Sequence, residues 1–143
     1  MKRILSMVIA ISALATGVAV AMPSQATAAC NTGSGIQGSA FYTDVNCGGS
    51  LFNMTGNLNK SYVGDSFNDK ITSILVGHNA GSGTVSEACL WTNATFTGTM
   101  EKWINGSSST AKYINLTSDP MQDKASSAST HWGTGSPAPQ CAY

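Results

Sequence analysis

A short run of acidic and hydroxyl residues occurs twice in the sequence and has the composition of a site for a hard metal ion. The run DKITS at residues 69–73 recurs 54 positions later as DKASS at residues 123–127. In both runs an aspartate is followed, three and four positions later, by hydroxyl side chains. Carboxylate and hydroxyl oxygens are ligands that Ca²⁺ prefers, and it takes roughly six to eight of them at about 2.3–2.6 Å. A single run of this kind is typical of a solvated turn, whereas its recurrence indicates a calcium site.

A second repeated feature precedes each run and predicts part of the structure that positions it. Residues 42–50 (YTDVNCGGS) and 91–99 (WTNATFTGT) align at a shift of 49 positions, with an aromatic residue first, threonine second, an acid or amide third and glycine eighth. An aromatic residue followed seven positions later by glycine indicates a hairpin folded back on itself, because glycine accepts the backbone angle that such a turn needs. The chain is therefore predicted to contain two halves built on one plan.

The composition of the region that carries these features predicts an all-β fold. Residues 30–143 are rich in Ser, Thr, Asn and Gly, and their short apolar runs show no long stretch of helical periodicity. Such a sequence favours short strands separated by turns. A hinge between the two halves is expected at residues 77–84. We predict strands at residues 39–45, 51–54, 71–77, 86–92, 99–104, 112–116 and 124–130.

The two repeated features together resemble the Greek-key motif of the βγ-crystallins. That motif has an aromatic residue, four residues, a second aromatic, one residue and glycine. It continues with a pair of Asn or Asp residues, two variable positions, Ser or Thr, and Ser. Residues 42–49 with NDKITS at 68–73 match the motif once, and residues 91–98 with QDKASS at 122–127 match it again.

This resemblance implies an all-β fold, a βγ-crystallin-like sandwich of two Greek-key motifs in a single domain at residues 30–143. Greek key A is expected at about residues 38–78 and Greek key B at about residues 85–130. Each motif is expected to lend one strand to the sheet of the other, which gives two four-stranded antiparallel sheets. The C-terminal tail is expected to be tethered by a disulfide.

The resemblance also implies two Ca²⁺ sites, each shared between the paired-residue loop of one motif and the hydroxyl of the other. Calcium is expected to stabilise the domain rather than to catalyse a reaction. Gln122 stands where Asn or Asp is usual, so its site is expected to be weaker if the side chain, rather than the carbonyl, binds the ion. The expected ligands are the carboxylates of Asp69 and Asp123, the hydroxyls of Thr72 and Ser126, the carbonyls of Thr43 and Thr92, and mainly the carbonyls of Asn68 and Gln122.

The amino terminus has the features of an export signal. Two basic residues precede an uncharged apolar stretch at residues 4–20, and small residues at positions 26–28 offer a cleavage site. We therefore predict a signal peptide at residues 1–29 and a secreted, extracellular mature protein with no membrane contact. A retained membrane anchor and a lipoprotein attached through Cys30 are the alternatives.

Export implies an oxidising compartment, in which the four cysteines are expected to be paired. Four cysteines allow three connectivities, and the sequence alone does not choose among them. We favour Cys30–Cys47 and Cys89–Cys141, because each pair would tie one end of the mature chain to one half of the domain. Cys47 also stands where the motif has an aromatic residue, which suits a disulfide. No two cysteines stand at CxxC spacing and neither histidine is near one, so a cysteine-ligated metal is not predicted.

The charge and the missing motifs disfavour two classes of function. Beyond residue 29 the chain has five lysines, no arginine and seven acidic residues, which gives a net charge of −2. Nucleic acid is therefore not an expected partner, since phosphate recognition depends on clustered Lys and Arg. The sequence has no Gly-x-Ser-x-Gly elbow, and neither His78 nor His131 accompanies a nucleophile, so no enzyme activity is predicted.

The favoured function is that of a secreted, non-catalytic calcium-binding protein of the βγ-crystallin type, acting as a monomer. One alternative is inhibition of a secreted protease, because the fold and the export signal also resemble the small metalloproteinase inhibitors of actinomycetes. Another is a glycan-binding or toxin-like protein that uses Trp91, Trp103 or Trp132 as a stacking face. Trp91 is expected to pack in the core, and Trp132 is expected to be exposed.

Overall fold

The computed structural model describes residues 30, 38–78, 84–106, 110–134 and 141. The predicted signal peptide, most of the predicted hinge and most of the C-terminal tail lie outside these residues. Within them, no helix is both long enough and apolar enough to cross a membrane. Eight strands and two short 3-10 turns form, in the order β1 (Gly38–Tyr42), η1 (Val45–Cys47), β2 (Leu51–Thr55), β3 (Leu58–Lys60), β4 (Ser73–Val76), β5 (Thr84–Asn93), η2 (Ala94–Phe96), β6 (Thr97–Gly106), β7 (Lys112–Asn115) and β8 (Ser127–Thr134).

The strands form two four-stranded antiparallel sheets. Sheet A has the order β2-β1-β4-β7 and sheet B has the order β3-β8-β5-β6. Strands β1 to β4 come from the first half of the chain and β5 to β8 from the second, so β3 and β7 each lie in the sheet of the other half. This exchange is the one expected, and the predicted fold class, an all-β sandwich of two Greek keys, is confirmed.

The strand bounds differ from the predictions where the two aspartate loops begin. Strands predicted to start at residues 71 and 124 start instead at Ser73 and Ser127. The residues just before these starts pair with the aspartate loops instead, because the carbonyls of Ile71 and Ala125 accept hydrogen bonds from the main-chain N–H groups of Asp123 and Asp69.

Strand β3 was not predicted from the sequence. Its three residues, Leu58–Lys60, are all exposed and show no alternation of apolar and polar side chains. The strand forms because it pairs with β8, from Leu58 opposite Thr130 to Lys60 opposite Ala128. Its stabilisation therefore comes from residues about 70 positions away, and no local pattern could indicate it.

The core lies between the two sheets and takes equivalent residues from each half. Phe41 on β1 and Leu90 on β5, which are 49 positions apart, are both fully buried. Ile74 and Met54 pack in the same cluster. Burial of each such side chain stabilises the fold by about 1.5–3 kcal/mol.

Each sheet also carries a disulfide on its outer face. Cys30 is bonded to Cys47, with Cα atoms 5.2 Å apart, above a small apolar cluster on sheet A that includes Ala40. Cys89 is bonded to Cys141, with Cα atoms 6.3 Å apart, on sheet B. Both predicted pairings are confirmed.

Candidate metal centre

The folded hairpin of each half fixes one of the expected carbonyl ligands. In the first half, the Thr43 hydroxyl accepts a hydrogen bond from the Ser50 main-chain N–H at 2.9 Å, which ties the two ends of the turn together. Gly49 closes this turn with φ of +70°, and a Cβ atom there would lie 2.8 Å from an Asp44 carboxylate oxygen. Only glycine fits, as predicted. The second half repeats this arrangement with Thr92, Thr99, Gly98 and Asn93.

The aspartate loop of each half is anchored to the other half. The main-chain N–H of Asp123 donates to the Ile71 carbonyl at 3.2 Å, and that of Asp69 donates to the Ala125 carbonyl at 3.1 Å. The left-handed conformation of both aspartates turns their N–H groups toward these carbonyls. Aspartate tolerates this conformation better than most residues. Asp123 therefore belongs beside Thr72, and Asp69 belongs beside the equivalent serine.

We define corner 1 as the Thr43 carbonyl, the Thr72 hydroxyl and the Asp123 carboxylate, together with the neighbouring Asp44 and Gln122. Thr72 Oγ1 lies 2.9 Å from the Thr43 carbonyl oxygen and 2.9 Å from Asp123 Oδ1. It also lies 3.4 Å from the carbonyl oxygen of Lys70. A hydroxyl has one proton to donate. The single hydroxyl proton of Thr72 cannot be donated to all three acceptors at once. Oxygen lone pairs without a hydrogen-bond donor therefore lie close together around Thr72 Oγ1.

We define corner 2 as the Thr92 carbonyl, the Ser126 hydroxyl and the Asp69 carboxylate, with Asn68 beside them. Ser126 Oγ donates to the Thr92 carbonyl at 3.0 Å, the equivalent of one contact in corner 1. Asp69 Oδ2 accepts a hydrogen bond from the side-chain amide of Asn68 at 2.9 Å. The position equivalent to Asp44 holds Asn93, so corner 2 has one carboxylate fewer than corner 1.

Corner 1 opens into a depression of about 440 Å³ on the surface. Three carboxylates and one ammonium group line it, which gives a net charge of −2. The ammonium group does not neutralise its neighbours fully, because Lys70 Nζ donates to the main-chain carbonyl of Asp65 at 3.0 Å. The lining residues are Thr43, Asp44, Asp69, Lys70, Thr72 and Asp123.

Two details of this site were not foreseen from the sequence. Asp44 was not named as a candidate, although the repeat showed an acid or amide at its position. Asp69 lines the depression of corner 1 while its main chain is anchored at corner 2, so the two corners are neighbouring sites connected by this residue.

The side chain of Gln122 is engaged within its own loop. In the amide orientation that satisfies its hydrogen bonds, its nitrogen donates to the carbonyls of Thr117 at 2.7 Å and Leu116 at 3.3 Å. The main-chain carbonyl of Gln122 is then the group left to act as a ligand.

The three tryptophans do not form a shared exposed face. Trp91 is buried, as expected, and its ring meets that of Phe96 edge-on at 5.2 Å between centroids. Trp103 is half-buried against the core. The expectation that Trp132 is exposed is wrong. It is half-buried, because it lies within β8 with its indole beside the turn at Gly56, where a Cβ atom would lie 3.8 Å from Trp132 Nε1.

A second group of polar side chains lies on the outer face of sheet B. Glu87 is fully buried, and its burial raises the pKa of its carboxyl, an effect that Lys102 and a backbone hydrogen bond from Cys141 oppose. Burial lowers the pKa of the His131 imidazole, which is opposite Glu87 on the neighbouring strand. Both shifts favour the neutral forms of these groups, because desolvation penalises charge.

Comparison with known proteins gives matches at the level of structure. No protein-family model and no curated protein sequence matches the chain. A structure from a study of the evolution of the eye-lens βγ-crystallin domain fold is 24% identical, covers 73% of this chain and 93% of that chain, and has a TM-score of 0.51. A βγ-crystallin domain from Clostridium beijerinckii is 28% identical over 66% of this chain and 97% of that chain, with a TM-score of 0.44. A βγ-crystallin from an archaeon is 27% identical over 66% and 98%, with a TM-score of 0.43.

Proposed function

Because this chain has the βγ-crystallin fold, with oxygen ligands from both halves meeting at its corners, we propose that it binds Ca²⁺ at corners 1 and 2. The ions stabilise the folded domain and take no part in a reaction. The observation that carries this proposal is the position of the Thr72 hydroxyl, which lies within 3.4 Å of three oxygen acceptors.

The spacing of these oxygens fits the coordination shell of calcium. Ligands at 2.3–2.6 Å from one ion lie about 2.8–3.4 Å from their neighbours in the shell. The two shortest oxygen separations around Thr72 Oγ1 are both 2.9 Å. A cation among these oxygens attracts the lone pairs that a single hydroxyl proton leaves unsatisfied. Thr43, Thr72 and Asp123 would hold the ion directly, and the carbonyl of Gln122 would add a fourth protein oxygen.

The charges at the two corners differ, and this difference sets the order of filling. Corner 1 has Asp44 and Asp123, and Asp69 also lines its depression, whereas corner 2 has Asp69 and, at the position equivalent to Asp44, the neutral Asn93. An additional carboxylate strengthens the attraction for a divalent cation. Corner 1 is therefore the tighter site, although its loop contains Gln122, because the glutamine side chain is turned toward Thr117.

Stabilisation by calcium agrees with an extracellular location, which we include in the proposal. The two disulfides are typical of proteins from oxidising compartments. Extracellular calcium is abundant enough to fill even sites with Kd of about 10⁻⁴–10⁻³ M. Protease inhibition and glycan binding stay predictions.

Thermal unfolding with and without calcium tests the proposal. The purified protein is stripped with a chelator and heated in excess chelator, in excess Ca²⁺ and in the same concentration of Mg²⁺. We expect the midpoint to rise by about 10–20 °C with Ca²⁺ and by much less with Mg²⁺, which demands a smaller octahedral shell. Equal midpoints in chelator and in Ca²⁺ would contradict calcium binding to the folded state.

A further inference from the structure

Three buried side-chain atoms among the described residues have no hydrogen-bond partner, and all three belong to the outer face of sheet B. They are Glu87 Oε2, Ser129 Oγ and His131 Nε2. The strand register brings them together, because Glu87 is the Cα partner of His131 and Cys89 is the partner of Ser129. Buried polar atoms are nearly always paired, so three unpaired atoms on one face of a sheet indicate a missing partner there rather than scattered packing faults.

The fold itself does not require these polar residues. At the shift of 49 positions that relates the two halves, Glu87 and Cys89 correspond to Gly38 and Ala40. In the first half this face is apolar, with Leu75 and Ala40 beneath the Cys30–Cys47 disulfide. The second half therefore has ionisable groups at positions where the first half has none. Burying the carboxyl group of Glu87 costs free energy that the first half does not spend.

The cluster brings together donor atoms of the kind that zinc prefers. One ligand atom from each of Glu87, Cys89 and Cys141 lies within 4.8 Å of the others. Glu87 Oε1 lies 3.2 Å from Cys89 Sγ and 2.6 Å from Cys141 Sγ, so its other oxygen remains unpaired. Sulfur, carboxylate oxygen and imidazole nitrogen are the usual ligands of tetrahedral Zn²⁺.

We propose that, when the Cys89–Cys141 disulfide is reduced, Glu87, Cys89 and Cys141 bind a divalent cation of the zinc class. These three residues supply all the protein ligands and solvent completes the shell, because His131, the strand partner of Glu87, lies outside the group of ligand atoms within 4.8 Å of one another. This site is distinct from the calcium corners in place and in chemistry, because thiolate ligands select soft cations and oxygen ligands select hard ones.

The two states of the cysteine pair are related by a balanced exchange. A dithiol reductant gives two electrons and two protons to the disulfide and becomes a disulfide itself, which leaves two thiols at Cys89 and Cys141. The cation then displaces the thiol protons to solvent as it binds. A Cα separation of 6.3 Å suits both states, since it is within the range for a disulfide and two thiolates on one tetrahedral zinc are about 3.8 Å apart.

Cobalt titration of the reduced protein tests this proposal. The full chain is reduced with a phosphine, which does not compete for metal, and Co²⁺ is added as a spectroscopic probe for the zinc site. We expect one Co²⁺ per chain, with thiolate-to-cobalt charge-transfer absorption that the oxidised protein lacks, and displacement of this ion by Zn²⁺. Glu87→Gln should bind at least about tenfold more weakly, and Cys89→Ser with Cys141→Ser should abolish the absorption.

Two matched controls separate this site from the rest of the molecule. Cys30→Ser with Cys47→Ser removes the other cysteine pair, which forms no such group with a carboxylate among the described residues, and should keep the absorption. Asp123→Asn alters corner 1 and should also keep it, so failure of the calcium proposal leaves this result unaffected. Unchanged affinity in Glu87→Gln, or no absorption in the reduced wild type, overturns the proposal. If reduction unfolds the chain, Zn²⁺ should restore the near-ultraviolet circular dichroism of the native protein. The proposal is overturned if Zn²⁺ does not restore it.

Discussion

Asp123→Asn is the substitution that separates calcium binding from folding at corner 1. Asparagine has nearly the shape of aspartate and tolerates the left-handed φ of 52° at this position. It also keeps an oxygen that accepts the hydrogen bond from the Thr72 hydroxyl, which is 2.9 Å away. Only the negative charge is lost. Alanine would be a poorer choice, because it adds about 1–2 kcal/mol of backbone strain whether or not calcium is present.

The expected magnitude follows from binding linkage. An ion bound only by the folded state at a free concentration 100 times its Kd adds about 2.7 kcal/mol to the free energy of unfolding. In a domain of about 100 residues, 1 kcal/mol moves the unfolding midpoint by about 4–8 °C. Calcium at corner 1 should therefore raise the midpoint of the wild type by about 10–20 °C, and Asp123→Asn should lose most of that increase. In chelator, the free energy of unfolding of the variant should be within about 0.5 kcal/mol of that of the wild type.

Scanning calorimetry in excess Ca²⁺ and in excess chelator measures both quantities. Asp119→Asn is the matched control, because Asp119 is in the same loop and loses the same charge. Its carboxylate accepts a hydrogen bond from the Met121 N–H at 2.8 Å and does not line the depression. The control should keep the full calcium shift. Calcium binding by the Asp123 carboxylate is contradicted if Asp123→Asn keeps the calcium-induced shift of the wild type. It is also contradicted if Asp119→Asn loses as much of that shift as Asp123→Asn does.

Three further variants and one control test the site and the fold around it. Asp44→Asn should weaken calcium binding at corner 1 about tenfold in a calorimetric titration. The reason is that a charge about 5 Å from a divalent ion contributes about 1.7 kcal/mol even in water. An unchanged Kd would place Asp44 outside the site. Gly98→Ala should lower the free energy of unfolding in urea by about 2 kcal/mol or more, because φ is +81° and the new Cβ would clash with the Thr92 hydroxyl. Gly106→Ala, which faces open space, should be close to neutral, and equal losses in the two variants would contradict the assigned turn. Cys89→Ser with Cys141→Ser should lower the free energy of unfolding by about 4 kcal/mol in the same assay, the value that the chain-entropy model gives for a separation of 52 residues. A loss below about 1 kcal/mol would mean that the disulfide does not constrain the unfolded chain.

The fold could be predicted where local chemistry determines it. The turns at Gly49 and Gly98 need a residue that accepts positive φ, and the threonine at the start of each hairpin fixes the returning strand. These requirements are visible in the sequence as a repeated pattern. The exchange of β3 and β7 between the sheets was expected only from the family resemblance, because it depends on long-range pairing that no short segment encodes.

The donor types of the corners could be predicted from the residues themselves, whereas their assignment across the two halves was expected only from the family resemblance. The spacing within one run does not show which aspartate faces which hydroxyl, and the structure places Asp123 beside Thr72 of the other half, as the resemblance implies. The register between the halves decides this, through the hydrogen bond from the Asp123 N–H to the Ile71 carbonyl. Asp44 was missed because it belongs to the hairpin rather than to the aspartate run.

The polar cluster on sheet B was beyond the reach of sequence spacing. Glu87 and His131 are 44 positions apart and meet only because β5 and β8 are neighbours in register. Cys89 and Cys141 show no CxxC spacing, which is why a cysteine-ligated metal was not predicted. The cluster becomes visible only when the strand pairing and the covering disulfide are known.

A crystal structure of the protein grown with Ca²⁺ tests the central proposal most directly. We predict anomalous density for an ion at corner 1, bound at about 2.3–2.6 Å by the Thr43 carbonyl, the Thr72 hydroxyl and the Asp123 carboxylate. Corner 2 should fill at higher calcium concentration. A structure at saturating Ca²⁺ with no ion at either corner, and with the Thr72 hydroxyl still hydrogen-bonded to Asp123, would contradict calcium binding at these sites.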